Sequence, residues 1–114
     1  MTNLLEETED IIKHSGYQPN NIIFIGSLSS GHRCTWDEFC KLANFDYDAG
    51  YGGQEISDDL RVIFDDYTYL IRREYDGSEW WEYVPKIVIP EINKPIHELR
   101  TGYWSGETLA EINK

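Results

Sequence analysis

The residues of this chain best suited to chemistry are carboxylates. Asp46, Asp48, Glu55, Asp58, Asp59, Asp65 and Asp66 fall within one stretch in which Arg61 is the only base. Adjacent acids such as Asp58-Asp59 and Asp65-Asp66 are the residue type that a two-metal hydrolase uses to hold its cations. Neighbours in extended chain point to opposite sides, however, so such pairs do not converge by themselves. A nuclease would also need bases along its substrate's backbone, and these are sparse. His14, His32 and His97 lie far apart, none beside a plausible nucleophile, and Ser27, Ser29 and Ser30 read as turn residues. A metal set of His32, Cys34 and Cys40 matches no standard zinc spacing. The glycines at 50, 52 and 53 are flanked by acids and lack the Lys-Ser/Thr pair of a phosphate loop. These residues lead us to expect no enzyme, no cofactor and no metal.

The same acids have a second use. Tyr47, Tyr51 and Tyr67 are interspersed among them. Tyrosine supplies contact area at little entropic cost, and spaced carboxylates can stand in for phosphates. The expected partner-binding set is therefore Asp46, Tyr47, Asp48, Tyr51, Glu55, Asp58, Asp59, Asp65, Asp66 and Tyr67, facing a protein with a basic surface. The plain alternative is an acidic surface that only keeps the chain soluble. Twenty-one acids against 10 bases give a net charge of −11. Such a field repels nucleic acid and anionic membrane, so neither is expected to bind directly.

These residues need a scaffold, and 114 residues allow one domain with one core. An aromatic share of 14% argues for folded rather than disordered chain. We expect a single domain over 1–114, with a core over about 1–90 and a tail over 91–114 that is extended or ends in a short helix. No run of apolar residues is long enough to span a bilayer, and the first residues lack a signal-peptide pattern, so a cytoplasmic location is expected. Cys34 and Cys40 are too few for a disulfide framework and read as plain thiols.

The periodicities predict the elements. Residues 2–15 read as an amphipathic helix capped by Thr2 or Asn3, with Leu4, Leu5, Ile11 and Ile12 as its buried stripe and Gly16 as its stop. Ile22 to Ile25 reads as a strand. Thr35 and Glu38 have the capping-box spacing, ahead of a helix that buries Trp36, Phe39, Cys40 and Ala43. The segment from Asp46 to Gln54 reads as an irregular loop. From residue 55 on, a period of two predicts three antiparallel strands with turns at Asp65-Asp66 and Asp76-Gly77. A two-residue second turn would set Glu74 against Glu79, so cross-strand charge favours a longer loop over 76–79 that pairs Arg73 with Glu82. Ile87 to Ile89 is a candidate edge strand. The fold class is α+β: an antiparallel three- to five-stranded sheet packed by an N-terminal helix and a short second helix.

The runs Phe45-Asp46-Tyr47-Asp48-Ala49-Gly50-Tyr51-Gly52-Gly53-Gln54-Glu55-Ile56 and Arg72-Arg73-Glu74-Tyr75-Asp76-Gly77-Ser78-Glu79-Trp80-Trp81-Glu82-Tyr83, with the helix start Thr35-Trp36-Asp37-Glu38-Phe39, carry a family resemblance. Over about residues 22–85 the chain resembles small accessory proteins encoded by phages and prophages of Gram-positive bacteria. The resemblance implies a context rather than a chemistry: expression in an infected bacterium, where small acidic proteins of this kind often inhibit host defences such as CRISPR nucleases and restriction enzymes. The expectation is a stoichiometric inhibitor of the anti-CRISPR type that blocks a basic nucleic-acid-binding surface. The alternatives are a self-associating phage accessory factor, a homodimer for instance, and a small ligand- or metal-binding protein.

Overall fold

The computed structural model describes residues 1–50, 52–86, 89–101 and 106–114. The first helix, α1 (Leu4–His14), starts where the sequence signals it. The Asn3 side chain accepts the Glu6 backbone N–H, and Glu6 and Glu7 sit at the positive end of the helix dipole. Its buried line is Leu4, Thr8 and Ile12, spaced four apart, with Leu5 and Ile11 half-buried beside it. Ser15 closes the helix, and Gly16 follows at φ +90. Just before α1, the two-residue strand β1 (Thr2–Asn3) pairs antiparallel with β3 (Asp46–Tyr47), which ties the helix start to the acidic segment.

The second helix, α2 (Trp36–Leu42), carries a complete capping box. Thr35 accepts the Glu38 N–H, and Glu38 accepts the Thr35 N–H. Phe39 and Ala43 are buried, while Trp36 and Cys40 are half-buried at the margin.

The main sheet has four antiparallel strands: β2 (Ile22–Gly26), β4 (Arg61–Phe64), β5 (Tyr69–Tyr75) and β6 (Ser78–Val84), in the order β2-β4-β5-β6. The predicted three-stranded meander is thus extended by the early strand on its open side. Val62, Phe64 and Leu70 are fully buried, and Tyr17 stacks on Phe64 at 4.0 Å between ring centres. Burial of each such side chain is worth about 1.5–3 kcal/mol. Ile25, Trp81, Phe39 and the α1 stripe complete this core. Gly26 lets the chain turn back at the end of β2: it has φ +152, and a Cβ there would lie 1.9 Å from the His32 carbonyl oxygen.

The second hairpin departs from expectation. Its turn is the two-residue Asp76-Gly77, both residues at positive φ, and Glu74 does face Glu79. Positive φ at both central positions matches the right-handed twist of the strands. Two contacts relieve the like-charge pairing: Arg72, on the same face, reaches Glu79, and Glu74 accepts the Gly77 N–H at 2.9 Å. Arg73 and Glu82 still form an ion pair, as diagonal rather than direct neighbours.

Beyond β6 the described residues hold no helix or strand until α3 (Leu109–Ile112), a single turn capped by Thr108. The candidate edge strand at 87–89 lies mostly outside the described residues.

Candidate partner-binding surface and the ion cluster beneath it

A buried charge cluster holds the acidic segment in place. Arg72 lies on the core face of β5, next to Leu70 in the period-two pattern, and is 5% exposed. Its guanidinium donates to Glu79 at 3.0 Å, to Glu7 at 3.0 Å and to the Tyr47 hydroxyl at 2.9 Å. It also lies 4.8 Å from the Trp81 ring centre. Tyr47 donates in turn to Glu7 at 2.8 Å. Glu79 accepts the backbone N–H groups of Glu55 (2.7 Å) and Ile56 (3.2 Å), while its own N–H donates to the Ala49 carbonyl. The glycine-rich loop is therefore stitched to the edge of β6 at Ala49 and again at Glu55-Ile56. Trp81 completes the arrangement by donating its indole N–H to Thr8 at 2.8 Å, and Thr8 donates to the Leu4 carbonyl. Burial draws the Arg72 guanidinium down, but its bonds to Tyr47 and Glu7 outweigh this and hold it above the ordinary arginine value.

Of the expected partner-binding residues, Tyr47 must be corrected: it is 3% exposed and its hydroxyl is spent on Arg72 and Glu7. Its Asp46 neighbour points outward, as alternation along β3 requires. Tyr51 lies outside the described residues. Tyr67 is 76% exposed at the β4–β5 turn, with φ +66. Asp46, Glu55, Asp58, Asp65 and Asp66 are exposed, and Asp48 and Asp59 are half-buried.

The seven acids do not form one face. Asp58 and Asp59 precede β4, whereas Asp65 and Asp66 follow it, so the two pairs sit at opposite ends of the sheet. Four residues of strand alone separate them by about 10 Å. At the first end, Asp48 and Glu55 join Asp58 and Asp59 through the stitched loop, and the β5–β6 turn adds Asp76. Sequence reasoning missed Asp76 because it lies ten residues beyond the acidic segment and reaches this end only through the pairing of β4 with β5.

None of the seven has an ion-pair partner among the described residues, where the salt bridges are Arg72 with Glu7 and Glu79, and Arg73 with Glu82. Several instead accept uncharged hydrogen bonds. Ser57 donates to Asp59 and holds its carboxyl below the usual aspartate range. Thr68 and Tyr17 do the same for Asp66. The Tyr17 hydroxyl, also bonded to Tyr83, is pushed up to about 12, chiefly by its bond to Asp66.

Other candidate chemistry is thinly supported. Among the described residues no group of three His, Cys, Asp or Glu side chains is placed to hold a metal ion. Burial pushes both the Cys34 and Cys40 thiols up, which disfavours the reactive thiolate. A cavity of about 390 Å³ lies between β2 and the entry to α2, lined by Ile22, Phe24, Cys34 and Trp36 among others. Its charged residues already have partners: Arg33 donates to the Gly31 carbonyl, and Glu38 is spent on its helix cap. No helix of the described residues is long and apolar enough to cross a membrane.

Arg72 is a second site residue that sequence reasoning missed. Its signal was present: a charged residue on the Leu70 face of a half-buried strand needs a carboxylate partner.

No protein-family model, curated protein or solved structure matches the chain.

Proposed function

We propose that the protein works by stoichiometric binding, as a phage-type inhibitor of a host nucleic-acid-directed defence enzyme of the CRISPR-effector or restriction class. It occupies the basic surface on which that enzyme holds nucleic acid. One observation supports this most: among the described residues, none of the seven carboxylates between Asp46 and Asp66 is held in an ion pair. Ionised groups left unneutralised are available to a basic groove, which would otherwise hold phosphates. The local hydrogen bonds to Asp59 and Asp66 favour the charged form, and the Arg72 cluster fixes the loop that carries Asp48 and Glu55. The family resemblance over residues 22–85 supplies the biological setting for this reading.

The test uses carboxylates outside the Arg72 cluster, of which Asp65 accepts one long bond from the Asn21 side chain at 3.3 Å. Asp46, Asp58 and Asp65 are exposed, and reversing them to Lys leaves the Arg72 cluster intact. The wild-type chain is expected to inhibit DNA cleavage by a susceptible effector at near-equimolar ratio. The triple variant, with an unchanged melting temperature, is expected to need at least about tenfold more protein, a loss of about 1.4 kcal/mol in binding. Undiminished inhibition by the variant would remove the acidic surface from the mechanism.

A further inference from the structure

The turn that follows β2 sets a serine against a histidine. Two backbone bonds close it: the Ser27 N–H donates to the His32 carbonyl at 2.8 Å, and the Gly31 N–H donates to the Ser27 carbonyl at 3.0 Å. Inside the turn the Ser30 hydroxyl lies 2.8 Å from His32 Nδ1 and accepts the His32 backbone N–H at 3.3 Å. One oxygen is thus held by both the ring and the backbone of one residue, which fixes the imidazole against the hydroxyl. In the tautomer with the ring proton on Nε2, Nδ1 accepts the Ser30 proton. A nucleophile meets its general base in this way, within about 2.6–3.2 Å.

A second line of bonds steadies Ser30. Its backbone N–H donates to Ser27 Oγ at 3.2 Å, and the Ser29 hydroxyl lies 3.1 Å from the same oxygen. Ser27 is buried and hydrogen-bonds the Asp59 carboxylate. Asp59 and Ser27 therefore position the turn, whereas Ser30 and His32 are exposed and open to a reactant. The charge of the molecule selects among reactants. A net charge of −11 stabilises the imidazolium that forms when His32 takes a proton, and it repels phosphate esters and other anions. An uncharged acyl ester meets no such barrier.

We propose that Ser30 is a nucleophile that takes the acyl group of uncharged, activated esters, with His32 as its general base. As Ser30 Oγ bonds to the acyl carbon, its proton passes to Nδ1. The ester's C–O bond then breaks, and the leaving alcohol takes that proton. Water repeats the sequence to release the acid. It gives a proton to Nδ1 and bonds to the acyl carbon, the bond to Oγ breaks, and Ser30 recovers its proton. This inference does not rest on the inhibitor reading, because neither Ser30 nor His32 belongs to the proposed partner surface.

Reaction of the full chain with para-nitrophenyl acetate tests it. Nitrophenol release is expected, together with an acetyl group that peptide mass spectrometry maps to Ser30. His32→Gln keeps the hydroxyl and is expected to acylate it about a hundredfold more slowly, the low end of what general-base catalysis contributes. Ser30→Ala should lose nitrophenol release to a similar extent. Both positions are exposed, and an unchanged circular dichroism spectrum shows that each variant folds. A parent chain in which Ser30 stays unmodified, or either variant reacting as fast as the parent, overturns the proposal.

Discussion

At the residue scale, Arg72 organises the molecule. It joins α1 through Glu7, β3 through Tyr47 and β6 through Glu79, and each partner would be a buried or half-buried polar group without it. Removing one member of a buried ion pair typically costs about 3–5 kcal/mol, because the other charge is left uncompensated. Arg72→Ala is therefore expected to lose stability in that range by urea denaturation, and a loss below about 1 kcal/mol would show that the cluster contributes little. Tyr47 reports on the same cluster. Burial, chiefly, pushes its hydroxyl up to about 12, above the ordinary tyrosine value of 10. A group whose folded value is raised contributes stability that is complete below the unfolded value and lost as pH rises through the folded one. Tyr47→Phe is thus expected to flatten the fall in melting temperature between about pH 10 and 12. Asp66 has the opposite sign. Its lowered carboxyl contributes stability above the ordinary aspartate range, lost as pH falls through its folded value. Asp66→Asn should therefore weaken the fold at neutral pH and leave a shallower acid limb in the melting profile.

At the element scale, much of the fold was legible in local signals. Asn3 and Thr35 mark their helix starts because capping is decided by side chains three residues apart, and the period-two pattern from Arg61 to Val84 marks the strands. The β5–β6 register was misread because pairing Glu74 with Glu79 was judged in isolation. The deciding groups are Arg72, one diagonal step away, and the Gly77 N–H inside the turn. Tyr47 was misplaced for a related reason: its partners, Glu7 and Arg72, are distant in sequence and meet only in the assembled fold. Gly26 gives a direct check on the β2 end. A Cβ at this position would collide with the His32 backbone, which no rotamer can relieve, so Gly26→Ala is expected to cost at least about 2 kcal/mol. Thermal melting would decide it, and a variant as stable as the parent would show that the 26–33 turn relaxes freely.

At the scale of the whole molecule the charge is uneven: residues 85–114 hold as many bases as acids, so the net −11 belongs to residues 1–84. Contacts between carboxylates and a basic partner weaken as the screening length shrinks from about 10 Å at 0.1 M toward about 3 Å at 1 M. Inhibition is therefore expected to fall as salt rises, and inhibition unchanged between about 0.1 M and 1 M salt would remove the acidic surface from the mechanism. The Arg72 cluster carries a further consequence, for the order in which the chain matures. Its members come from positions 7, 47, 72 and 79, so a nascent chain still lacking residue 79 has a guanidinium that cannot yet be buried at acceptable cost. Long-range closure of this kind must precede its reward. The four positions are therefore expected to lock together in one cooperative step, which coincident urea transitions by tryptophan fluorescence and far-UV circular dichroism would check.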